Sequence, residues 1–273
     1  SLSGLSVNYV HGGYRLRSPF REFDDDAYIE ACLDDLTQVF DMMTSGDVAA
    51  MIVEPIQGVG GFAVPPDGLF GAMKKELDNR DVLFISDEVQ TGWGRTGENF
   101  WGYQAHGIVP DMITFAKGVG NGLALGGVIA RAEIMDSMEA NSISTFGGNP
   151  LASAGALATI RYMIQHDTQS NAQQMGSRLV NHLAPVVESS SVIAEMRGRG
   201  LMLAIETVYQ NSVEPNPGAA VQLMERARSS KLLIGKGGLY GNVLRIAPPL
   251  TVTADEIDEG AEILVQAIEE LNS

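Results

Sequence analysis

Four short apolar runs, at 49–53, 82–86, 112–116 and 126–130, alternate with stretches of helical periodicity. That alternation predicts parallel strands joined by crossover helices. Between the first two runs, Leu69, Phe70, Met73 and Leu77 share one helical face, with Lys74 and Lys75 turned to water and Asp67 placed to cap the start. Asn149-Pro150 reads as a cap and a first-turn proline for a helix over 151–165, and an acidic helix over 24–40 puts Ile29, Cys32, Leu33 and Leu36 inward. Beyond about His166 the alternation stops. A polar helix (168–187), strands at 192–197 and 201–206, a helix (218–230), a strand (243–246) and a terminal helix opened by the capping box Thr253-Ala-Asp-Glu256 predict a smaller α+β unit. The chain therefore reads as α/β, with a large domain over 1–166 and a small domain over 167–273.

Composition narrows the function classes. The 273 residues are 45% hydrophobic, enough for a sizeable core, and the formal charge of -16 opposes any phosphate-tracking surface, so nucleic acid is not an expected partner. No apolar run approaches the roughly 20 residues of a membrane helix, and the single cysteine, Cys32, forms no intrachain disulfide. A cytoplasmic protein is the default expectation. The four histidines lack ligand spacing, so no metal centre is expected from them. The opening Ser-Leu-Ser-Gly-Leu-Ser, without an initiator Met, reads as the interior of a longer protein.

Ionisable residues stand at three strand ends. Glu54, Asp87 and Lys117 lie 33 and 30 positions apart, near the roughly 30-residue length of a βαβ unit, so all three emerge along one sheet edge. In open parallel sheets the ligand crevice lies outside that edge. Lys117 is one of five lysines; it closes an apolar run and precedes Gly118-Val-Gly-Asn-Gly122. Held against apolar walls, its ammonium would lose hydration, which lowers the pKa and frees the amine for Schiff-base chemistry; the plainer reading is a lysine bridging a loop. Asp87 closes a buried run and needs a cation or strong donors. A pyridinium nitrogen would serve, as would magnesium shared with Glu88 and Glu54.

The run Asp87-Glu-Val-Gln-Thr-Gly-Trp-Gly-Arg-Thr-Gly97, followed by Phe115-Ala-Lys-Gly-Val-Gly-Asn-Gly122, resembles the class III pyridoxal-phosphate-dependent aminotransferases of fold type I. Glu54-Pro-Ile-Gln-Gly58, Ser144-Thr-Phe-Gly-Gly-Asn-Pro150, Arg199-Gly-Leu-Met-Leu203 and Leu244-Arg-Ile-Ala-Pro-Pro-Leu250 extend the match in family order. The resemblance implies pyridoxal 5'-phosphate as cofactor and Lys117 as the lysine that bonds its aldehyde and later moves the substrate proton. It makes Asp87 the partner of the ring nitrogen, packs Val89 on one ring face and puts Gln90 near the phenolic oxygen. Thr145 would reach the phosphate of a neighbouring subunit, which implies a homodimer. Arg245 would grip a substrate carboxylate, although by itself it could instead pair with Glu206 structurally. Glu54 and Glu88 would support the site from behind, and Trp93 and Trp101 read as packing.

Two departures matter. The family's phosphate-cradling turn and ring-stacking aromatic have no counterpart in residues 1–273, so the chain resembles the C-terminal two-thirds of a subunit. A glutamate that follows Glu-Pro-Ile-Gln-x in ornithine and 4-aminobutyrate aminotransferases is Val59 here, which leaves Arg245 to carboxylates and leans toward the alanine-glyoxylate and pyruvate-dependent branch. The implied activity is transamination from an amino acid, ω-amino acid or amine to a 2-oxo acid such as pyruvate or glyoxylate. The alternatives are an aminomutase or decarboxylating transaminase of the same fold, or a non-catalytic chain without cofactor.

Overall fold

A computed structural model describes residues 6–272, so the first five residues of the opening stretch lie outside the described residues. Helix α1 (Asp25–Met43) precedes strand β1 (Ala50–Val53), helix α2 (Leu69–Asn79), strand β2 (Leu83–Asp87), strand β3 (Met112–Phe115) and strand β4 (Gly127–Ala130). These strands form one sheet in the order β1-β2-β3-β4. The first three are parallel, as expected, but β4 runs antiparallel to β3. The connection from β3 to β4 is too short for a crossover, so the chain can only turn back. No α-helix joins β2 to β3 either; the chain crosses there on a long loop with one short 3-10 turn, Gly102–His106.

Helices α1 and α2 cover one face of this sheet through Tyr28, Cys32, Leu36, Leu69, Met73 and Phe84. The cap of α2 differs from expectation: Gly68, at φ +90°, is the N-cap and no side chain caps the helix, while Asp67 pairs with Arg199. Lys74 is not turned to water. Its side chain is 15% exposed because it bridges Asp78 and Asp111. A five-residue helix, α3 (Ala132–Asp136), leads to α4 (Pro150–Gln165), where Asn149 accepts from Ala152 N at 3.0 Å with Pro150 in the first turn, as expected.

After α5 (Thr168–Glu188) come β5 (Ile193–Arg199), β6 (Met202–Thr207), α6 (Pro217–Ser229), β7 (Gly235–Gly237), β8 (Val243–Ile246) and α7 (Ala254–Asn272). The expected domain division falls between α4 and α5. The second sheet is antiparallel, in the order β5-β6-β8-β7, and β7 carries no hydrophobic pattern that could have announced it. Thr253 and Glu256 form the expected reciprocal cap of α7. Every residue of β6 is buried, because α5, α6 and α7 cover Leu203 and Ile205 on one face while Ile56 and Phe62 cover Met202 and Ala204 on the other. The β5–β6 turn packs tightly against the loop after β2 and against α5. A Cβ on Gly200 (φ +53°) would lie 2.5 Å from the Thr96 backbone, and one on Gly176 would lie 2.2 Å from the Gly200 carbonyl oxygen.

Candidate active site

The strand ends come together as the spacing requires. Glu54 follows β1, Asp87 ends β2 and Lys117 stands two residues beyond β3. Burial raises the Glu54 pKa, a hydrogen bond from Gly58 N at 2.7 Å opposes the rise, and the charges of Asp87 and Lys117 act on it with opposite signs. The three groups therefore share one electrostatic neighbourhood. Asp87 is half-buried; its Oδ1 accepts from Val89 N at 3.1 Å and Thr114 Oγ1 at 3.2 Å. Its Oδ2 accepts no hydrogen bond among the described residues.

Lys117 holds a left-handed backbone (φ +44°), uncommon for a residue with a side chain. It lines a cavity of about 800 Å³ together with Val89 and Gln90. The expectation that it lies against apolar walls is not met: Lys117 is exposed, since the glycines that follow carry no side chains to cover it. Gln90 is placed by Gly58, where an added Cβ would come within 1.7 Å of Gln90 Nε2. Glu88, expected behind the site, is fully buried and saturated. Its carboxylate accepts from Ser86 Oγ, Thr91 Oγ1, Gly102 N and Tyr103 N at 2.6–3.0 Å, which ties the loop after β2 to the Gly102–His106 turn.

Arg245 lies on β8 in a cross-strand row with Ala204 and Arg197, so both guanidinium groups leave the same face of the sheet. Both reach the loop after Glu54. Arg197 donates to Gly61 O at 2.7 and 3.0 Å, whereas Arg245 makes only long contacts, 3.5 Å to Gly58 O and 3.4 Å to Lys236 O. Arg245 Nε is buried without a partner, and its guanidinium carbon sits 5.6 Å from the Phe62 ring centre. The structural alternative, pairing with Glu206, is overturned. Glu206 instead accepts from Tyr14 Oη (2.6 Å), Arg17 Nε (2.9 Å), Arg197 Nη1 (2.6 Å) and Asn242 Nδ2 (3.1 Å). Burial works against its charge, but Arg197, Tyr14 and Arg17 outweigh burial and hold its pKa below the ordinary value. Tyr14 is pushed up to about 12 by its own burial and by Glu206. Val59 is 70% exposed and puts no acid beside Arg245.

Thr145 is exposed and has no partner among the described residues, with Ile143 and Phe146 beside it more than four-fifths exposed. Trp93 and Trp101 pack as expected, ring centres 4.7 Å apart. Sequence reasoning missed Arg95. This residue is half-buried on the cavity wall, and its Nη1 donates to Pro248 O at 2.5 Å and Leu201 O at 3.3 Å, with no carboxylate nearby. Burial alone lowers its pKa to about 10, so it remains charged at neutral pH. The available signal was the glycine at 92, 94 and 97 on either side: a turn that close-packed leaves an arginine little access to water.

Comparison with known proteins bears on this geometry. The family model for Aminotransferase class-III matches residues 7–268. The chain is 40% identical over 237 residues to alanine–glyoxylate aminotransferase 2 homolog 2, mitochondrial, of Arabidopsis thaliana, covering 86% of this chain and 49% of that protein. It is 41% identical over 219 residues to 4-aminobutyrate aminotransferase of Mycobacterium leprae (strain TN), covering 80% and 49%. Among solved structures, an amine transaminase from an uncultivated Pseudomonas species in its PLP-bound form superposes with a TM-score of 0.86 at 30% identity, covering 96% of this chain and 60% of that one. The chain spans about half the length of the curated relatives it matches.

Proposed function

Since this chain belongs to the class-III aminotransferases, we propose that it carries the catalytic half-site of a transaminase moving an amino group from an amino acid, ω-amino acid or amine to a 2-oxo acid such as pyruvate or glyoxylate. Pyridoxal phosphate is the cofactor that goes with the family. The residues present fit the ring end of that group. Asp87 Oδ2 is left without a donor at the strand edge, and the Lys117 side chain enters the same cavity as Val89 and Gln90.

When bound, the cofactor supplies an aldehyde that takes the amino group and a ring that stores the electron pair released at the substrate carbon. Lys117 then moves the proton at that carbon. Asp87 would hold a proton on the ring nitrogen, and Val89 and Gln90 would hold the ring from the cavity wall, Val89 by packing and Gln90 by donating a hydrogen bond. Glu54 stands beside both charged groups and Glu88 fixes the loop that carries Val89 and Gln90. Arg245, which no carboxylate meets among the described residues, takes the substrate carboxylate in a planar fork. Thr145, exposed between the exposed Ile143 and Phe146, reaches the cofactor phosphate of a second copy, so the active assembly is a homodimer.

The observation that carries this reading is that Asp87 and Lys117, at the ends of neighbouring strands, both act on Glu54, while Lys117 lines the cavity with Val89 and Gln90, two and three residues beyond Asp87. Lys117→Ala in the full-length protein is expected to abolish steady turnover. Borohydride reduction of the wild type with pyridoxal phosphate is expected to leave the label on the Lys117 peptide. A label on Lys231 or Lys236 instead, or undiminished turnover in the variant, removes the assignment.

A further inference from the structure

Phe62 stands where a phenylalanine is least expected. Its backbone is left-handed (φ +54°), a region that suits glycine, asparagine and aspartate and is an outlier for a bulky side chain. Among the described residues, the other non-glycine positions at positive φ are Asn, Asp or Lys, with Trp93 as the one further aromatic. Burial does not account for the strain, because Ile56 and Val64 enter the same apolar cluster with Met202, Ala204 and Val243 without leaving ordinary backbone. What the left-handed turn sets is the direction of the ring. Phe62 lines the cavity beside Lys117, and the Arg245 guanidinium carbon lies over its ring, 5.6 Å from the centre. A cation over an aromatic face is attracted by the ring quadrupole, more so where water is excluded.

The strained residue is held through its own peptide. The φ of Phe62 turns on the plane it shares with Gly61, and the oxygen of that plane, Gly61 O, accepts from Arg197 Nε at 3.0 Å and Nη2 at 2.7 Å. Arg197 is fixed from its other side: Nη1 donates to Glu206 Oε2 at 2.6 Å and to Glu195, and the Tyr14 ring centre lies 4.9 Å from the guanidinium carbon. All three of its nitrogens are engaged, so Arg197 is not a second ligand for a carboxylate. The turn closes directly on it, since a Cβ on Gly61 would lie 3.1 Å from Arg197 Nη2 and 3.0 Å from Val243 Cγ2. At the start of the same turn, Gly58 O accepts from Gly61 N at 3.3 Å and is the carbonyl that Arg245 touches at 3.5 Å. Arg245 meets no carboxylate among the described residues, so this turn, the Phe62 ring and Lys236 O are what orient it.

We propose that Phe62 is the platform that aims the Arg245 guanidinium, and that Arg197 is the positioning residue that holds this platform through the Gly61–Phe62 peptide. Neither side chain binds the substrate carboxylate; both act through Arg245. This rests on the transaminase reading in one respect, that Arg245 is the group that takes that carboxylate.

The test is calorimetric titration of the full-length holoenzyme with pentanoate, a carboxylate with no amino or keto group. Phe62→Leu keeps an apolar side chain in the core but removes the ring face, and is expected to raise the pentanoate Kd about fivefold. Arg197→Lys keeps a charge beside Glu206 but replaces a two-nitrogen edge with a single ammonium, and is expected to raise Kd by a similar factor. Steady-state kinetics add a split that a merely structural role would not produce. The KM for pyruvate should rise in both variants, while kcat and the KM for n-pentylamine, which has no carboxylate, stay within about twofold of the wild type. In an Arg245→Gln background neither change should weaken pentanoate further, because both act through that guanidinium. Unchanged pentanoate binding in the folded variants overturns the platform, as does a further loss in the Arg245→Gln background or an equal loss for pyruvate and n-pentylamine. Phe62→Leu serves alone if Arg197→Lys fails to fold. If Arg245→Gln itself leaves pentanoate binding intact, the carboxylate role of Arg245 falls and the platform with it, whereas a loss there with none in the other two variants removes the platform alone.

Discussion

The Glu206 cluster and the wall of the Lys117 cavity use the same residue types to opposite ends. Around Glu206, a fully buried carboxylate meets two arginines, a tyrosine and an asparagine, and the second arginine also pairs with Glu195. Charges and donors are matched there, although Asn242 Oδ1 is buried without a partner among the described residues. At the strand ends and around the cavity, Asp87 keeps an oxygen that accepts no hydrogen bond among the described residues, and the hydrogen bonds of Arg95 and Arg245 go only to carbonyls. Leaving buried groups unmet costs stability. A fold that saturates one cluster and leaves another open reserves the open one for a ligand; the saturated cluster holds the Val59–Gly61 loop and the small sheet together.

The sharpest way to break this comparison is to damage both regions and compare the losses. Glu206→Ala leaves Arg17 and Arg197 buried without their shared anion, and is expected to cost about 3–5 kcal/mol of stability in denaturant unfolding. Asp87→Asn keeps the shape of the strand end and should move the unfolding midpoint little, while kcat falls about 10²–10³-fold. If Asp87→Asn unfolds the protein and Glu206→Ala does not, the roles are reversed and the site is misplaced.

Much of the open region was legible in the sequence, because a strand in a parallel sheet announces itself by an apolar run and its end by the first ionisable residue. Glu54, Asp87 and Lys117 were found that way. Strand direction was not legible, since the run 126–130 looks the same pointing either way and only the short link after Lys117 forces β4 to turn back. Strand β7, Gly-Lys-Gly, has no side-chain pattern at all. Lys74 and Glu206 were misjudged for a shared reason. Their partners, Asp111 and Arg17, are distant in the chain, so the ion pairs that bury them are tertiary facts. The same holds for Arg95, whose anchors, the Leu201 and Pro248 carbonyls, lie more than 100 residues on in the chain.

The comparison is sharpened by an orphan nitrogen outside the cavity. His106 is 8% exposed, packs its ring 4.8 Å from Phe70 and leaves Nδ1 without a partner. Burial, aided by Arg199, lowers its pKa to about 4 from 6.5. A histidine whose folded pKa is depressed contributes stability in full above pH 6.5, and the contribution is lost as pH falls toward 4, where the unfolded chain binds the proton and the folded chain resists it. Between pH 7 and 4.5 the loss should reach about 2–3 kcal/mol. His106→Gln should flatten that part of the stability–pH curve in urea unfolding without changing KM for any substrate. A KM effect would mean that this orphan, too, belongs to a site.

The smallest expected effect tests whether Arg245 is open in the way the cavity wall is. Val59 is exposed and its carbonyl accepts from Gly238 N at 3.1 Å, so the backbone there is fixed while the side chain is free to change. Its neighbour Gly58 offers the carbonyl that Arg245 touches at 3.5 Å, which brings a carboxylate at position 59 within reach of the guanidinium. Val59→Glu should therefore give Arg245 the anion it lacks. A partly exposed pair of this kind contributes about 0.2–1 kcal/mol, so KM for pyruvate should rise up to about fivefold with kcat nearly unchanged. Salt should relieve the effect, because half-molar ionic strength screens an exposed pair more than it screens a substrate enclosed against Arg245. An amine donor without a carboxylate should keep its KM in the variant. If the KM for pyruvate does not move at low salt, the guanidinium is not where the acceptor's carboxylate binds, and the contrast between balanced and open charge would rest on Arg95 and Asp87 alone.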